Sequence, residues 1–158
     1  MKQLFTYILI FFSTLLLFNC KKYPEGGCER RGPKNIIGNW KLTMYEVNGI
    51  DSTELINYNG NDNYKKNSFV KHSNGDKEII VDSKGSIAEK INFKDKNEKI
   101  EFYTNDQSSL KCISGYCYRN YFLPEGTNYN EWKIIKLTKT EIVLTSSQKN
   151  IYKIKLSK

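Results

Sequence analysis

Apolar and polar residues alternate with a period of two over much of this chain, most clearly near its C-terminus. Residues 150–156 read NIYKIKL, with tyrosine, isoleucine and leucine at every second position and lysine between them. Successive side chains of a β-strand point to opposite faces of a sheet, so this alternation predicts a strand with one buried and one solvated face. Two similar runs, 131–137 and 141–145, precede it between polar segments.

The same alternation begins at residue 36. In the first run Trp40, Leu42 and Met44 occupy one face, and the turn dipeptide Asn48-Gly49 ends it. About eight or nine short strands with turn signals between them are typical of an antiparallel sandwich or barrel. Closing a meander of hairpins removes its edge strands. The sequence therefore predicts an all-β fold, an up-and-down antiparallel β-barrel of about eight strands. The remaining runs lie at 68–71, 78–81, 86–93, 99–104 and 107–122.

The first twenty residues have a different pattern, a continuous apolar run. Lys2 is the only charged residue before Cys20, and residues 4–18 are almost all apolar. A basic start followed by such a run is the pattern of a secretory signal peptide, and the run is shorter than the ~20 residues that a spanning helix needs. An uncleaved signal anchor, or a plain secretory signal cut at another site, is the alternative.

The residues Leu17-Phe18-Asn19-Cys20 at the end of this run resemble the lipobox of bacterial lipoproteins. The resemblance implies cleavage before Cys20 and a diacylglycerol group on its thiol. Two or more acyl chains hold a protein firmly on a bilayer. The chain is therefore expected in the cell envelope, anchored to a lipid bilayer, the outer membrane, through acylated Cys20.

Residues 20–35 combine glycine and proline with charged residues and show no apolar periodicity. Such composition predicts a flexible tether between an anchor and a domain. The expected organisation is a lipoprotein signal peptide at 1–19, a flexible tether at 20–35 and a barrel domain at 36–158.

The formal net charge is +8 at pH 7, from 25 Lys and Arg against 17 Asp and Glu. A basic balance can indicate nucleic-acid binding, but the lysines are scattered between apolar residues, and an exported protein rarely meets nucleic acid. We interpret them as a solvated outer face and expect no nucleic-acid partner. Weak affinity for acidic glycans or lipid head groups is the alternative.

Four cysteines are present, and the assignment of Cys20 to lipid leaves three for disulfides, which export permits. Cys112 and Cys117 flank residues 113–116, which look like a four-residue hairpin loop. Facing hairpin positions bring β-carbons within reach of a bridge after small adjustment. Cys112–Cys117 is therefore the predicted disulfide, and a bridge from Cys28 to either of them is the alternative. Metal-ligand spacing is lacking, so no metal or cofactor is expected.

The first predicted strand begins with Gly38-Asn39-Trp40. The segment EWKIIKL at 131–137 is the first of the last three predicted strands. These segments resemble the lipocalin-like domains of bacterial envelope lipoproteins, the first as a Gly-x-Trp signature. The resemblance covers about residues 36–158 and implies an eight-stranded barrel whose tryptophan closes one end. In lipocalins an arginine of the last strand packs over that tryptophan. No arginine follows Arg119 here, so Lys153 or Lys155 is expected to take its place.

The expected function is binding without catalysis. A barrel of about eight strands either fills itself with side chains or holds one small ligand. The candidate cavity wall for a small apolar or amphipathic ligand consists of Trp40, Leu42, Phe93, Phe102 and Tyr152. In the alternative, Trp40 and Trp132 are core plugs, and the chain is an interaction module that contacts a protein or glycan through the barrel exterior and the Cys112 to Cys117 loop. The inward-facing set is Leu42, Ile91, Phe93, Phe102, Leu144, Tyr152 and Ile154.

No catalytic residue is predicted. His72 is the only histidine and lies beside a turn signal, and the acidic residues mostly flank turns. No nucleophile elbow is present in the sequence. The chain is therefore expected not to be an enzyme. It is also expected to be a monomer.

Replacing Cys20 by serine removes the thiol that the lipobox resemblance assigns to diacylglycerol. Cells grown with radiolabelled palmitate are expected to yield labelled wild-type protein and unlabelled Cys20→Ser protein. Cys28→Ser leaves the lipobox segment intact and serves as the control, which is expected to keep its label. Label that survives in the Cys20→Ser chain contradicts lipidation at this residue.

Overall fold

The computed structural model describes residues 20–56, 66–71, 77–81, 87–103, 110–113, 116–119, 122–123 and 129–158, with 77–81, 87–89, 110–113 and 116–119 described by their backbone alone. The predicted signal peptide at 1–19 and the predicted turn residue His72 lie outside the described residues.

Strands make up most of the described chain, and all their pairings are antiparallel. Helical structure in this part of the chain is limited to one α-helical turn, α1 (Gly32–Asn35), and to 3₁₀ turns at Glu29–Arg31, Thr53–Ile56 and Asp95–Asn97. The prediction of an all-β antiparallel fold is confirmed. The strands are β1 Gly38–Val47, β2 Ile50–Asp51, β3 Lys66–Lys71, β4 Lys77–Val81, β5 Ile87–Lys94, β6 Lys99–Tyr103, β7 Leu110–Ile113, β8 Tyr116–Arg119, β9 Tyr129–Leu137, β10 Glu141–Ser147 and β11 Ile151–Ser157.

Hydrogen-bonded neighbours in the main sheet follow the order of the chain. β3, β4, β5 and β6 pair in succession, β6 pairs with β9, and β9, β10 and β11 pair in succession. β1 pairs with β3 along one side and with β11 along the other, while the short β2 pairs with the end of β1. β7 and β8 form a separate two-stranded sheet. This is the order of a meander, interrupted once by a hairpin inserted between β6 and β9.

The period-two alternation decides which face of each strand is buried. In β11 Tyr152, Ile154 and Leu156 are buried, while Lys153 and Lys155 are partly exposed. The apolar side chains leave water together on one face because that burial is the main favourable contribution to folding. The lysines keep their ammonium groups in solvent on the other face.

A β-bulge displaces one residue that was predicted to point inward. Trp40 and Leu42 are buried, but the register of β1 against β11 shifts between Leu42 and Met44. An extra residue in one strand moves the side chains that follow it to the opposite face. Tyr45 is therefore buried in place of Met44, and its ring stacks on that of Tyr152 with 6.2 Å between centroids.

The core is one cluster of aliphatic and aromatic side chains in which several aromatic rings contact one another. Phe102 stacks on Phe122 with 4.4 Å between ring centroids, and Phe69 meets Phe122 edge-on at 6.1 Å. Trp132 is fully buried, 6.5 Å from the ring of Tyr152. The seven residues of the predicted inward-facing set belong to this cluster, Phe93 as a partly buried member: Leu42, Ile91, Phe93, Phe102, Leu144, Tyr152 and Ile154.

Residues 20–35, predicted to be a flexible tether, are instead packed against the strands; with Ile36 and Ile37 they form the N-terminal arm. Tyr23 is 2% exposed, and burial raises the pKa of its hydroxyl. The backbone N–H of Glu25 donates to the carbonyl of Ile135 in β9 at 2.9 Å. Glycine and proline mark tight turns as well as loose linkers, and here they allow the arm to turn closely over the end of the sheet.

Gly27 lies where the arm touches β9, with φ at +97°, and an added Cβ would overlap the carbonyl oxygen of Leu137. Gly26, with φ at +121°, has its nearest neighbour, Lys136 Cε, at 4.0 Å, so it shares the backbone strain without the overlap. Gly27→Ala is expected to lower the free energy of unfolding by about 1–3 kcal/mol more than the matched control Gly26→Ala, a typical cost of overpacking. Urea unfolding measures the difference, and equal midpoints would contradict the packed arm.

Candidate functional site

Cys20, the predicted lipidation site, is joined to Cys28 by a disulfide with 5.8 Å between their Cα atoms. An isolated antiparallel bridge between Lys22 and Cys28 closes the same loop. The general prediction of a disulfide is confirmed. The alternative prediction that Cys28 pairs with Cys112 or Cys117 is wrong, because its partner is Cys20. A sulfur in a disulfide cannot also form the thioether of a diacylglycerol group. This bond and lipidation of Cys20 therefore exclude each other.

The predicted Cys112–Cys117 bridge lies on a hairpin that is described by its backbone alone. Cys112 and Cys117 face each other in the pairing of β7 with β8, which is the register that such a bridge requires. Ile113 and Tyr116 also pair, so the connection shortens from the predicted residues 113–116 to two residues. The two cysteine side chains lie outside what the structure describes, and this bridge stays a prediction.

The five residues of the candidate cavity wall lie together in the apolar core. Trp40, Leu42, Phe102 and Tyr152 are at most 4% exposed, and Phe93 packs partly buried against the same cluster. These side chains contact one another through dispersion and the exclusion of water.

A buried polar cluster within this core was not predicted. Asn130 is 0% exposed, and its Oδ1 accepts hydrogen bonds from Ser146 Oγ at 3.0 Å and from Gln148 Nε2 at 2.6 Å. The indole N–H of Trp132 donates to the carbonyl of Phe122 at 2.9 Å. Buried polar groups require such partners. The alternation could have predicted the burial of Asn130, because Asn130 and Trp132 are two residues apart and share one face of β9.

Trp40 is held from the side of the N-terminal arm. Its indole N–H donates to the carbonyl of Ile36 at 2.7 Å. The Lys158 ammonium lies 4.5 Å from the centroid of the Trp40 ring and donates to the carbonyl of Ile37 at 3.2 Å. Gly38 has φ at +128°, and an added Cβ would stand 3.0 Å from Lys158 Nζ. The glycine of the Gly-x-Trp segment thus lets a cation reach the tryptophan.

Lys158 therefore occupies the position that the resemblance assigned to Lys153 or Lys155. Lys155 instead forms an ion pair with Glu141 at 2.7 Å. Both predicted lysines lie on the partly exposed face of β11, opposite the face that joins the core. The cation that covers Trp40 comes from beyond the end of the strand, where the alternation no longer restricts the direction of the side chain.

An open cleft of about 380 Å³ lies beside this contact, between β1, β3 and the end of β11. Residues 39–41 and 66–68 line it together with Ser157 and Lys158. Of the predicted cavity wall only Trp40 lines this cleft, and the other lining residues are of polar or basic type, so its place in the fold differs from that of the predicted cavity.

Within the part of the chain that the structure describes, four large apolar side chains are exposed, and all lie at the end of the sheet away from the N-terminal arm. Ile50, Leu55, Tyr129 and Ile151, here called the apolar rim, are between 46% and 82% exposed. They follow β1 or begin β9 and β11, whereas the arm lies at the start of β1 and the end of β9. Exposed apolar patches commonly mark binding surfaces.

Two ionisable groups of the strands with perturbed pKa values, Lys99 and Glu141, are in surface ion pairs. A hydrogen bond to Glu131, at 2.8 Å, is the largest cause that raises the pKa of Lys99. Lys136 and then Lys155 hold the pKa of Glu141 below its usual value. Within the described residues no group of three His, Cys, Asp or Glu side chains could hold a metal ion. The same residues include no helix with the length and apolar character to span a membrane.

Lys158→Met removes the ammonium over Trp40 but keeps an unbranched chain, and Lys158→Arg restores a cation. The free energy of unfolding of the methionine variant is expected to be about 0.5–1 kcal/mol lower than that of the wild type, which is the value of an exposed cation–π contact. The arginine variant is expected to retain most of the wild-type stability. Urea unfolding followed by tryptophan fluorescence compares them with Lys139→Met, a control in an exposed turn. Equal stability of the methionine and arginine variants contradicts a cation–π contribution.

No protein-family model matches the chain, and no curated protein matches it. The chain is similar to an uncharacterized protein from Bacteroides eggerthii DSM 20697, whose crystal structure was determined at 2.60 Å. The two are 18% identical, and the similarity covers 77% of this chain and 98% of that chain with a TM-score of 0.40. A similarity this distant carries no conclusion about function.

Proposed function

We propose that this chain is a membrane-anchored envelope lipoprotein whose strands close into a lipocalin-like barrel that binds a small apolar or amphipathic ligand. The observation that carries the proposal is the double pairing of β1, with β3 on one side and with β11 on the other. A meander whose first and last long strands pair with each other leaves no free edge and encloses its apolar face. The candidate wall residues would then line the interior.

The two ends of the sheet differ in a way that supports ligand access from one of them. At the arm end Ile36 is 1% exposed, and it accepts the hydrogen bond of the Trp40 indole. The opposite end carries the apolar rim. An apolar ligand that enters the proposed barrel would pass the rim, since the arm covers the other end.

Lipidation requires that the Cys20 sulfur be free of Cys28. The arm does not depend on the disulfide alone, because Tyr23 is buried and donates its hydroxyl to the carbonyl of Asn97 at 2.8 Å. In the proposed mature form Cys20 carries the acyl groups, and Cys28 is a thiol on an arm that remains packed. The structure describes the alternative, disulfide-bonded state.

A second candidate function is a non-catalytic interaction module for a protein or glycan. The β7–β8 hairpin favours it, because within the described residues this hairpin pairs with no strand of the main sheet. The exposed apolar rim favours it as well. In this case the outer surface, and not the interior, would be the binding site.

Native mass spectrometry of protein purified from its own cells distinguishes the two functions. A ligand adds mass that is lost in denaturing solvent, whereas acylation adds covalent mass to the peptide that begins at Cys20. Both are expected, with Cys28 recovered as a thiol. The double variant Leu55→Asp, Ile151→Asp places charge at the proposed opening and is expected to weaken ligand binding roughly tenfold, which corresponds to about 1.4 kcal/mol.

The matched control is Asn92→Asp, Thr140→Asp, which adds the same two charges to exposed positions away from the rim and is expected to bind normally. If no noncovalent mass is found and an apolar fluorescent probe does not bind, the ligand function is wrong. Loss of a protein or glycan partner in the rim variant, without any bound ligand in the wild type, supports the interaction module.

A further inference from the structure

We propose that the arm side of the domain is a membrane-facing surface that binds the headgroups of anionic lipids. This basic face consists of Lys22, Arg30, Arg31, Lys34 and Lys96, all of them exposed. The inference rests on the membrane anchoring proposed above, and it adds the orientation of the domain and the class of lipid that the domain contacts.

Contacts of the arm bring the segments that carry the five exposed cations close together. Lys22 bridges to Cys28 across the loop that the disulfide closes, and the turn Glu29–Arg31 follows directly. The Asn97 Nδ2 group donates to the carbonyl of Glu29 at 3.1 Å. The turn that contains Lys96 therefore packs beside the turn that contains both arginines, and α1 with its lysine comes next along the arm.

The carboxylates closest to the basic face are largely engaged by other lysines. Glu29, only 6% exposed, and Glu98 both pair with Lys21, and Asp95 pairs with a lysine of β6 at 3.0 Å. None of the five cations makes an ion pair within the described residues. Glu25 is the one other carboxylate of the arm. The face therefore presents uncompensated positive charge to whatever lies against it.

The anchor point and the basic face are close enough for the face to reach the bilayer that holds the anchor. An acylated Cys20 and an uncleaved signal anchor at residues 4–18 both place the bilayer beside residue 20. The backbone N–H of Glu29 donates to the carbonyl of Lys21 at 3.0 Å, a contact that does not need the disulfide, and Arg30 follows Glu29 directly. Arg30 thus lies within roughly 13 Å of the anchor point. This is comparable with the ~10 Å over which charges act at 0.1 M salt.

Electrostatic attraction favours contact between the basic face and an anionic bilayer at this distance. Each Lys or Arg near an anionic leaflet strengthens binding by about fivefold, and the effect weakens within a Debye length. A basic patch next to an acyl anchor is also a second signal that makes membrane residence stable. The cations and the anchor would therefore bind the same bilayer together.

The test reconstitutes the full-length chain on vesicles of phosphatidylcholine, alone or mixed with phosphatidylglycerol, and confirms anchoring by flotation. A membrane-impermeant amine reagent then labels the lysines, and peptide mass spectrometry gives the rate at each site. Lys22, Lys34 and Lys96 are expected to react about fivefold more slowly on the anionic vesicles. Lys133, on the outer face of β9, and Lys149, in the turn before β11, are expected to react equally on both.

The double variant Arg30→Gln, Arg31→Gln is expected to reduce this protection, and 1 M salt to abolish it. The matched variant Lys133→Gln, Lys149→Gln is expected to keep it. A chain that floats with both vesicles but shows equal labelling of the three face lysines overturns the basic face and leaves the anchoring intact. A chain that floats with neither overturns the anchoring and the basic face together.

Discussion

The antiparallel hydrogen bonds between β1 and β11 are the constraint on which the rest of the structure depends. They place Leu42 opposite Leu156 and Tyr45 opposite Ile154, so the two ends of the domain bury apolar side chains against each other. Without this ladder both strands would present unpaired backbone groups at an edge, and the core would lose one of its sides. The stacking of Tyr45 on Tyr152 relies on the same register.

The N-terminal arm connects the proposed anchor to the core within a short stretch of chain. Its first described residue is Cys20, and Ile36 accepts the hydrogen bond from Trp40 inside the sheet. Tyr23 and the backbone contacts to β9 fix the stretch between them. The arm therefore covers one end of the sheet and sets the position of residue 20, so the end with the apolar rim faces the other way.

The sequence predicted the fold class well because burial against solvent dominates in strands with one wet face. The apolar positions of β11 and the inward-facing set could be read from alternation alone, and even Asn130 follows the same rule. The exchange of Met44 for Tyr45 could not, since a bulge depends on the pairing of two distant strands. The contact of Lys158 with Trp40 could not be predicted for a related reason. Lys158 lies past the last alternating residue, and only the three-dimensional position of Trp40 explains its role. The packing of the arm could not be predicted, because glycine and proline indicate where the chain turns but not which strand the turn contacts.

Joining the first long strand to the last has a kinetic consequence. Leu42 and its partner Leu156 are separated in sequence by almost the whole domain. Closing so long a loop is entropically costly, and contacts of high sequence separation slow folding. Until β11 docks, β1 and β10 are both open to pairing with another chain. A truncation that removes the final strand would therefore leave a partly folded chain with unpaired strand edges instead of a slightly smaller domain. Such a chain would be prone to aggregation.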